Sequence, residues 1–429
     1  MREMKDSRIE WIGRIPADWK LKKGKYLFKQ RNYRGNSTCL QLLSPSQKYG
    51  VIPQSLLEEL TTQNVVKVSE NANLCTFKTV HIGDFCISLR SFQGGFEYSK
   101  CEGVVSPAYQ IFYVTSHDLC DGYFRYLFKD ESFIAKMNSY TMTLRDGKNI
   151  SFDDFGNTYL PIPSFAEQKR IAAFLDSECS ELDALSADIQ KEIEILGQYK
   201  RSVITEAVTK GLNPNVEMKD SGVEWVGEFP AHWNFKRGKY LFRQCNYRGN
   251  SICLQLLSPS QKYGVIPQSL LEKLTTQNVV KVSEKADLRS FKTVHVGDFC
   301  ISLRSFQGGF EYSNYEGVVS PAYQIFRAIG NDLHNGYFRY LFKDKSFIDK
   351  MNSYTMTLRD GKNIAFEDFG NTYLPLPPLV EQKQIAAYLD TKCKVIETAI
   401  ADKKRQLEVL DSYKKSLIYE YVTGKKEVQ

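Results

Sequence analysis

Few of the usual signatures of chemistry occur in this 429-residue sequence. It has only 5 histidines, and its 10 cysteines are scattered, with no C-x-x-C pair and no tight His/Cys cluster. That pattern fits reduced cytosolic thiols and argues against zinc. No stretch of about 18 apolar residues is present to cross a membrane, and Met1-Arg2-Glu3-Met4-Lys5-Asp6 is no signal peptide. The expectation is a cytoplasmic protein without membrane contact. No G-x-x-x-x-G-K-[ST] loop occurs, because Gly24-Lys25-Tyr26, Gly147-Lys148-Asn149 and Gly424-Lys425-Lys426 all fall short of it. Gly94-Gly95 is too short for a nucleotide-binding turn, and the acids of Asp18-Trp19-Lys20 and Glu217-Met218-Lys219 stand isolated from any nuclease constellation. No residue is nominated as catalytic, and none as a metal ligand.

Charge of one sign is also scarce. The net charge is +7, with 42% apolar and 25% charged residues, an ordinary globular composition. Residues 24–163 carry fourteen Lys/Arg against thirteen Asp/Glu, and residues 238–377 carry seventeen against twelve. Such totals do not nominate nucleic acid, although a local basic face can exist inside a balanced module.

Repetition is what the sequence has in abundance. LRSFQGGFEYS at 89–99 returns unchanged at 303–313, and SPSQKYGVIPQSLL from Ser44 returns from Ser258. Aligned without gaps at an offset of 214, segments 24–163 and 238–377 differ at 23 of 140 positions, leaving 117 identities. Trp11, Pro16 and Trp19 match Trp225, Pro230 and Trp233, and Glu167-Gln168-Lys169 matches Glu381-Gln382-Lys383. Solenoid units run about 20–50 residues. A unit of this length can hold its own core, so two similar modules are expected.

Within each module, VVKVSE, FKTVHIGDFCISL and VVSPAYQIFYV read as strands, while DGYFRYLFKDESFIAKMNSY spaces its apolar residues helically. The fold class is therefore α+β, mixed α/β in each module. After Leu160-Pro161-Ile162-Pro163 neither proline nor a turn cluster interrupts 167–209. Leu175, Leu182, Ile189, Leu196 and Val203 recur every seven residues, with Cys179, Ser186, Ile193 and Lys200 between them. The second copy places Leu389, Ile396, Lys403, Leu410 and Leu417 on the seam, with Cys393, Ile400, Leu407 and Lys414 interleaved. Each reads as a helix of roughly 60–65 Å with an imperfect coiled-coil seam, whose polar positions cost stability but set register. Two such helices most simply pair antiparallel, giving pseudo-two-fold symmetry and a fixed spacer between two heads. Inverted half-sites on duplex DNA have matching symmetry; a hairpin that merely joins two domains is the alternative.

PIPSFAEQKRIAAFLD at 161–176 and PLPPLVEQKQIAAYLD at 375–390, each followed by a long charged helix, resemble the conserved regions of type I restriction-modification specificity subunits. SYKKSLIYEYVTGK at 412–425 is similar to the end of their second conserved helix, and KYGVIPQ, VHIGDFCISLRSFQGGF and EGVVSPAYQIF resemble the body of a target recognition domain. The resemblance implies a non-catalytic subunit with two target recognition domains separated by two long antiparallel helices. Each domain would read half of a split target on double-stranded DNA. The implied partners are two methyltransferase subunits and two restriction subunits, with S-adenosylmethionine, ATP and Mg bound by those partners and no cofactor on this chain. The corresponding division is an N-terminal conserved segment at 1–23, target recognition domains at 24–163 and 238–377, a central conserved helix at 164–212, a linker with its Trp-containing segment at 213–237, and a C-terminal conserved helix at 378–429. Target domains in this family usually differ. Here they are nearly identical, with the differences concentrated at 113–121 against 327–335, so the expected target is an interrupted palindrome. A stand-alone bivalent DNA-binding protein or repressor is the alternative, and an interaction scaffold a third.

Base reading needs side chains with paired donors and acceptors, presented on loops held by a scaffold. Three stretches per module qualify as DNA-binding candidates: Arg90, Gln93 and Tyr98; Gln47, Lys48 and Tyr49; and Arg145, Lys148 and Asn149. Their counterparts are Arg304, Gln307 and Tyr312; Gln261, Lys262 and Tyr263; and Arg359, Lys362 and Asn363. Each has a structural alternative, such as a pair between Arg90 and Glu97 or plain turns at Gly94-Gly95 and Asp146-Gly147. His81 and His295 read as packed core histidines. Trp11, Trp19, Trp225 and Trp233 are expected to pin the segment leading into each module. Glu167, Gln168, Glu381 and Gln382 are candidates for helix starts or docking.

Overall fold

Phe85, Cys86 and Ile87 alternate between two apolar environments, as a strand of period two requires, and that alternation organises the first module. The computed structural model describes residues 2–34, 41–61, 73–87, 95–140, 150–248, 255–275, 287–301, 309–354 and 364–428. The chain divides into two compact units, residues 1–190 with 405–429, and residues 191–404. In the first, an antiparallel sheet has the strand order Phe28–Arg31, Gln110–Val114, Phe85–Ile87, Phe96–Tyr98. Phe28, Phe85, Phe96 and Phe112 meet Phe124, Phe128, Phe133 and Phe155 from the short helices Asp121–Leu127, Glu131–Ser139 and Phe152–Asn157. Ring centroids lie 4.8 Å apart for Phe112–Phe155 and 4.9 Å for Phe28–Phe124, adding edge-on and tilted aromatic contacts to the burial. Cys86 and Ile111 point the other way, into a smaller cluster with Leu43, Val51, Val80 and Val105. Those residues come from the strand pairs Leu43–Ser46 with Gly50–Pro53 and Lys78–Val80 with Gly103–Val105. The second unit repeats both layers at an offset of 214, with Phe242, Phe299, Phe310 and Phe326 on one side and Cys300 and Ile325 on the other. Each module is mixed α/β, as expected.

The stretch read as helical from 121 to 140 is two helices rather than one. Asp130 breaks it. Its backbone is extended, and its buried carboxylate accepts from Phe133 N at 3.0 Å, capping the second helix. Asp344 does the same for Phe347 at 3.0 Å.

The two long helices span Phe165–Lys210 and Leu379–Val422. Every seam position named above is buried or half-buried, whereas Glu181, Asp183, Leu185 and Asp188 between them are exposed. The polar seam positions are used. In the first unit Lys414 Nζ donates to Asp183 at 2.6 Å, and Phe174 stacks near Tyr421 at 4.5 Å. In the second, Lys200 pairs with Glu397 and Lys403 with Glu192, both at 2.5 Å. The pairing order makes the helices antiparallel within each unit. These exposed ion pairs contribute little stability, but each is formed in only one register.

The helix ends also close the modules. The hairpin Met4–Asp6 with Arg14–Pro16 buries Trp11, Ile12, Ile15 and Trp19 against Leu417, Ile418 and Val422. Tyr123, fully buried, donates its hydroxyl to Val422 O at 2.9 Å. In the second unit Tyr337 donates to Val208 O at 2.9 Å, and the Met218–Asp220 hairpin carries Trp225 and Trp233 into the core. Gly211 and Gly424 end the helices at positive φ, where a Cβ on Gly424 would meet Pro16 Cδ at 2.4 Å. No helix among the described residues is long and apolar enough to cross a membrane.

Candidate nucleic-acid interface

The turn Gln47-Lys48-Tyr49 joins two paired strands, Leu43–Ser46 and Gly50–Pro53. Gly50 has φ +76°, and a Cβ there would lie 2.7 Å from Tyr98 O, so only glycine fits. Lys129 Nζ reaches Gln47 O at 3.2 Å and the buried Glu97 carboxylate at 2.7 Å. Burial pushes the Glu97 carboxyl up, and Lys129 opposes that shift. The turn is therefore pinned from beneath while Gln47 and Lys48 are exposed, with Lys48 Nζ 5.1 Å from the Tyr49 ring centre. In the second unit Lys343 holds Gln261 O at 3.3 Å and Glu311 at 2.6 Å, with Lys262 over Tyr263 at 4.7 Å. Exposed amide and ammonium groups on a fixed backbone are suited to meeting base edges or phosphates.

Tyr98 lies on the strand Phe96–Tyr98 and is half-buried; its hydroxyl donates to Asp121 at 2.6 Å and its ring packs on Phe85 at 5.4 Å. Tyr312 occupies the matching strand and packs on Phe299 at 5.3 Å, while Asn335 stands where Asp121 was and donates to Gly297 O. Arg90, Gln93, Arg145, Lys148, Asn149, Arg304, Gln307, Arg359, Lys362 and Asn363 lie outside the described residues. The structure thus places the Gln47 and Gln261 turns on the surface and sets both tyrosines against the core.

His81 and His295 are not core residues, contrary to the sequence reading. Each follows its strand into a turn, is about 44% and 43% exposed, and meets Glu102 at 2.8 Å or Glu316 at 3.3 Å. A Val-His-Ile pattern cannot show that the strand ends at the valine.

Glu167-Gln168 and Glu381-Gln382 act within each unit as a clamp between helix start and module. Gln168 is buried; its Oε1 accepts from Cys120 N at 2.8 Å and its Nε2 donates to Pro163 O at 3.0 Å. Glu167 accepts the Trp19 indole N–H at 3.0 Å and pairs with Arg2. Gln382 and Glu381 repeat this with His334 N at 2.8 Å, Pro377 O at 2.8 Å and Trp233 at 2.9 Å. The most diverged segment, 113–121 against 327–335, runs into this clamp. Replacing Gln168 by leucine strands the part-buried Cys120 N–H and the buried Pro163 carbonyl. The expected cost is about 2–4 kcal/mol, read as a lower Tm for the first unit.

Sequence reading missed a compensated exchange. Asp84, buried, accepts from His81 N at 2.8 Å and forms an ion pair with Arg31 at 2.9 Å. At the second copy Arg31 is replaced by Cys245 and Tyr113 by Arg327, and it is Arg327 that holds Asp298, at 2.5 and 2.9 Å. Two of the 23 differences are therefore structurally linked.

Comparison with known proteins agrees with this architecture. Residues 15–195 and 247–409 match the type I restriction modification DNA specificity domain. The chain is 27% identical to the type I restriction enzyme MjaVIII specificity subunit of Methanocaldococcus jannaschii, over 70% of this chain and 68% of that one. It is 26% identical to the MjaX specificity subunit of the same organism, over 63% of this chain and 60% of that one. The matched part thus spans about three-fifths to two-thirds of those relatives' length. A chain from a solved type I R-M system superposes with a TM-score of 0.69 at 14% identity, covering 96% of this chain and 99% of that one, a likeness of fold.

Proposed function

The chain belongs to the type I restriction modification DNA specificity family, and from that premise we propose that it is the non-catalytic specificity subunit of such a complex. In this reading the modules at 24–163 and 238–377 are target recognition domains, each reading one half of a bipartite site on duplex DNA. Methyltransferase subunits assembled with it methylate an adenine in each half, and restriction subunits complete the complex. The observation that carries the reading furthest is that the turns at Gln47 and Gln261 are pinned by the same lysine–glutamate pair in both modules. Identical turns on nearly identical scaffolds would read identical half-sites, so the target is an interrupted palindrome.

The test is a genome-wide map of methylated adenines in cells expressing this chain with its methyltransferase subunit. A palindromic split motif, modified once per strand, is the expected result. An asymmetric motif would overturn the palindrome and place base reading among the 23 differing residues. Substituting Gln47 and Gln261 together by alanine should relax the same base in both halves, at about 1–3 kcal/mol of discrimination per lost bidentate contact.

A further inference from the structure

Between Trp19 and Leu57 the chain carries eight Lys/Arg and no Asp or Glu, and between Trp233 and Leu271 six and none. The module totals conceal these runs. The first begins on the strand Lys20–Lys23, which pairs with Tyr159–Ile162 in the register Lys23↔Tyr159. Lys23 Nζ lies 5.4 Å from the Tyr159 ring centre, and Lys25 Nζ lies 5.5 Å from that of Tyr26 and 3.4 Å from Asn157 Oδ1. Tyr26 is 68% exposed and Tyr159 40%. The second unit rebuilds the group: Arg237 over Tyr373 at 5.1 Å, Lys239 beside Tyr240 at 5.6 Å and 3.2 Å from Asn371 Oδ1.

The backbone beneath is fixed. Gly24 N donates to Thr158 O at 2.9 Å, and a Cβ at Gly24 would meet Phe155 O at 2.8 Å, so the turn is pressed onto the helix Phe152–Asn157. Gly238 makes the same approach to Phe369 O at 2.7 Å. Among the described residues, Lys22, Lys23, Lys25, Lys236, Arg237 and Lys239 have no carboxylate within ion-pair distance. The exposed acid on this helix, Asp153, accepts the Asn157 side-chain amide at its backbone carbonyl.

We propose that the cluster of Lys23, Lys25, Tyr26 and Tyr159, with its counterpart Arg237, Lys239, Tyr240 and Tyr373, is a phosphate-anchoring surface for the DNA backbone, separate from the base-reading turns. The inference rests on the DNA-binding reading above and extends it to residues with no role in sequence choice. Unpaired cations on a rigid turn neutralise phosphates at little ordering cost, and tyrosine hydroxyls donate to phosphate oxygens. Asn157 and Asn371 hold the lysines in place.

The experiment is DNA binding by the full chain in complex with its methyltransferase subunit, titrated between 50 and 200 mM salt. Each phosphate contact contributes about 0.9 to the slope of log affinity against log salt. The double variant Lys25→Gln/Lys239→Gln should lower that slope by about 1.8, so that the variant loses roughly tenfold less affinity than the wild type across this range. Target and unrelated duplexes should be affected alike, and the methylated motif should not change. Lys25→Arg/Lys239→Arg should keep the wild-type slope, as should Lys191→Gln/Lys404→Gln on the long helices. An unchanged slope in the glutamine variant overturns the proposal. So does a changed motif, which would mean base reading, or loss of the methyltransferase subunit at unchanged slope, which would mean a protein-facing surface. Wild-type binding with an unchanged variant slope defeats this inference alone, whereas a wild-type complex indifferent to DNA defeats the functional reading with it.

Discussion

Replacing Arg31 by cysteine is expected to cost the first unit about 3–5 kcal/mol, although cysteine is the native residue at the equivalent position 245. The sheet register explains the difference. Phe112 pairs with Phe85, so the next step sets position 113 beside Asp84. In the first unit that neighbour is Tyr113, and Arg31 reaches Asp84 from the strand beyond, its guanidinium 4.3 Å from the Tyr113 ring centre. It makes one well-formed hydrogen bond, Nη2 to Oδ1 at 3.1 Å. In the second unit Arg327 stands next to Asp298 and makes two, leaving Cys245 to fill the small apolar cluster. Burial pushes the Asp84 carboxyl up, while the His81 N–H and Arg31 favour its charged form. Removing Arg31 alone therefore strands a buried carboxylate. Adding Tyr113→Arg should recover most of the loss, and the reciprocal pair Arg327→Tyr and Cys245→Arg should behave likewise. Denaturant titrations of the single and double variants make a double-mutant cycle, and equal losses in Arg31→Cys and the double would sink the idea.

The larger effect is expected from shortening the far end of the chain. Truncation after Asp411 removes Leu417, Ile418 and Val422 from the core of the first unit and takes the Val422 carbonyl from Tyr123. At about 1.5–3 kcal/mol for each of the three buried side chains, the loss is about 4.5–9 kcal/mol, comparable to the whole stability of a domain. The N-terminal module should open although every residue of 1–190 remains. The second unit, built from 191–404, loses nothing and should keep its amide protection. Hydrogen exchange on the truncated chain reads both units at once. Protection retained at Phe112 and Phe124 would mean that the helix end is dispensable.

Periodicity carried the long helices: the seven-residue spacing named the seam, and each named position is at least half-buried. It also carried the mixed character of the modules, because the strands of a two-layer sheet alternate as Phe85, Cys86 and Ile87 do. The break at Asp130 was less legible, since a capping aspartate and a mid-helix aspartate look alike until the backbone turns. The candidate contact residues were legible only in kind. Gln47 and Lys48 could be named from turn chemistry, and Tyr98 from the stretch that follows Gly94-Gly95, but only coordinates show that the first two are exposed and the third is bonded to Asp121. The acid-free runs are present in the sequence, but a charge total over a whole module averages them away; only charge followed along the chain shows them.

The duplication and the doubled EQ-x-x-IA-x-x-LD signature are written in the sequence itself, and the family resemblance rests on them without coordinates. Closure of each module by a distant helix end, the neutralisation of Asp84 and Asp298 from different strands, and the burial of Gln168 and Gln382 as clamps are decided by which residues meet across separations of 29 to about 300 positions. Spacing within one element records the face that element buries. It does not record which partner arrives there, because that depends on how several elements pack at once.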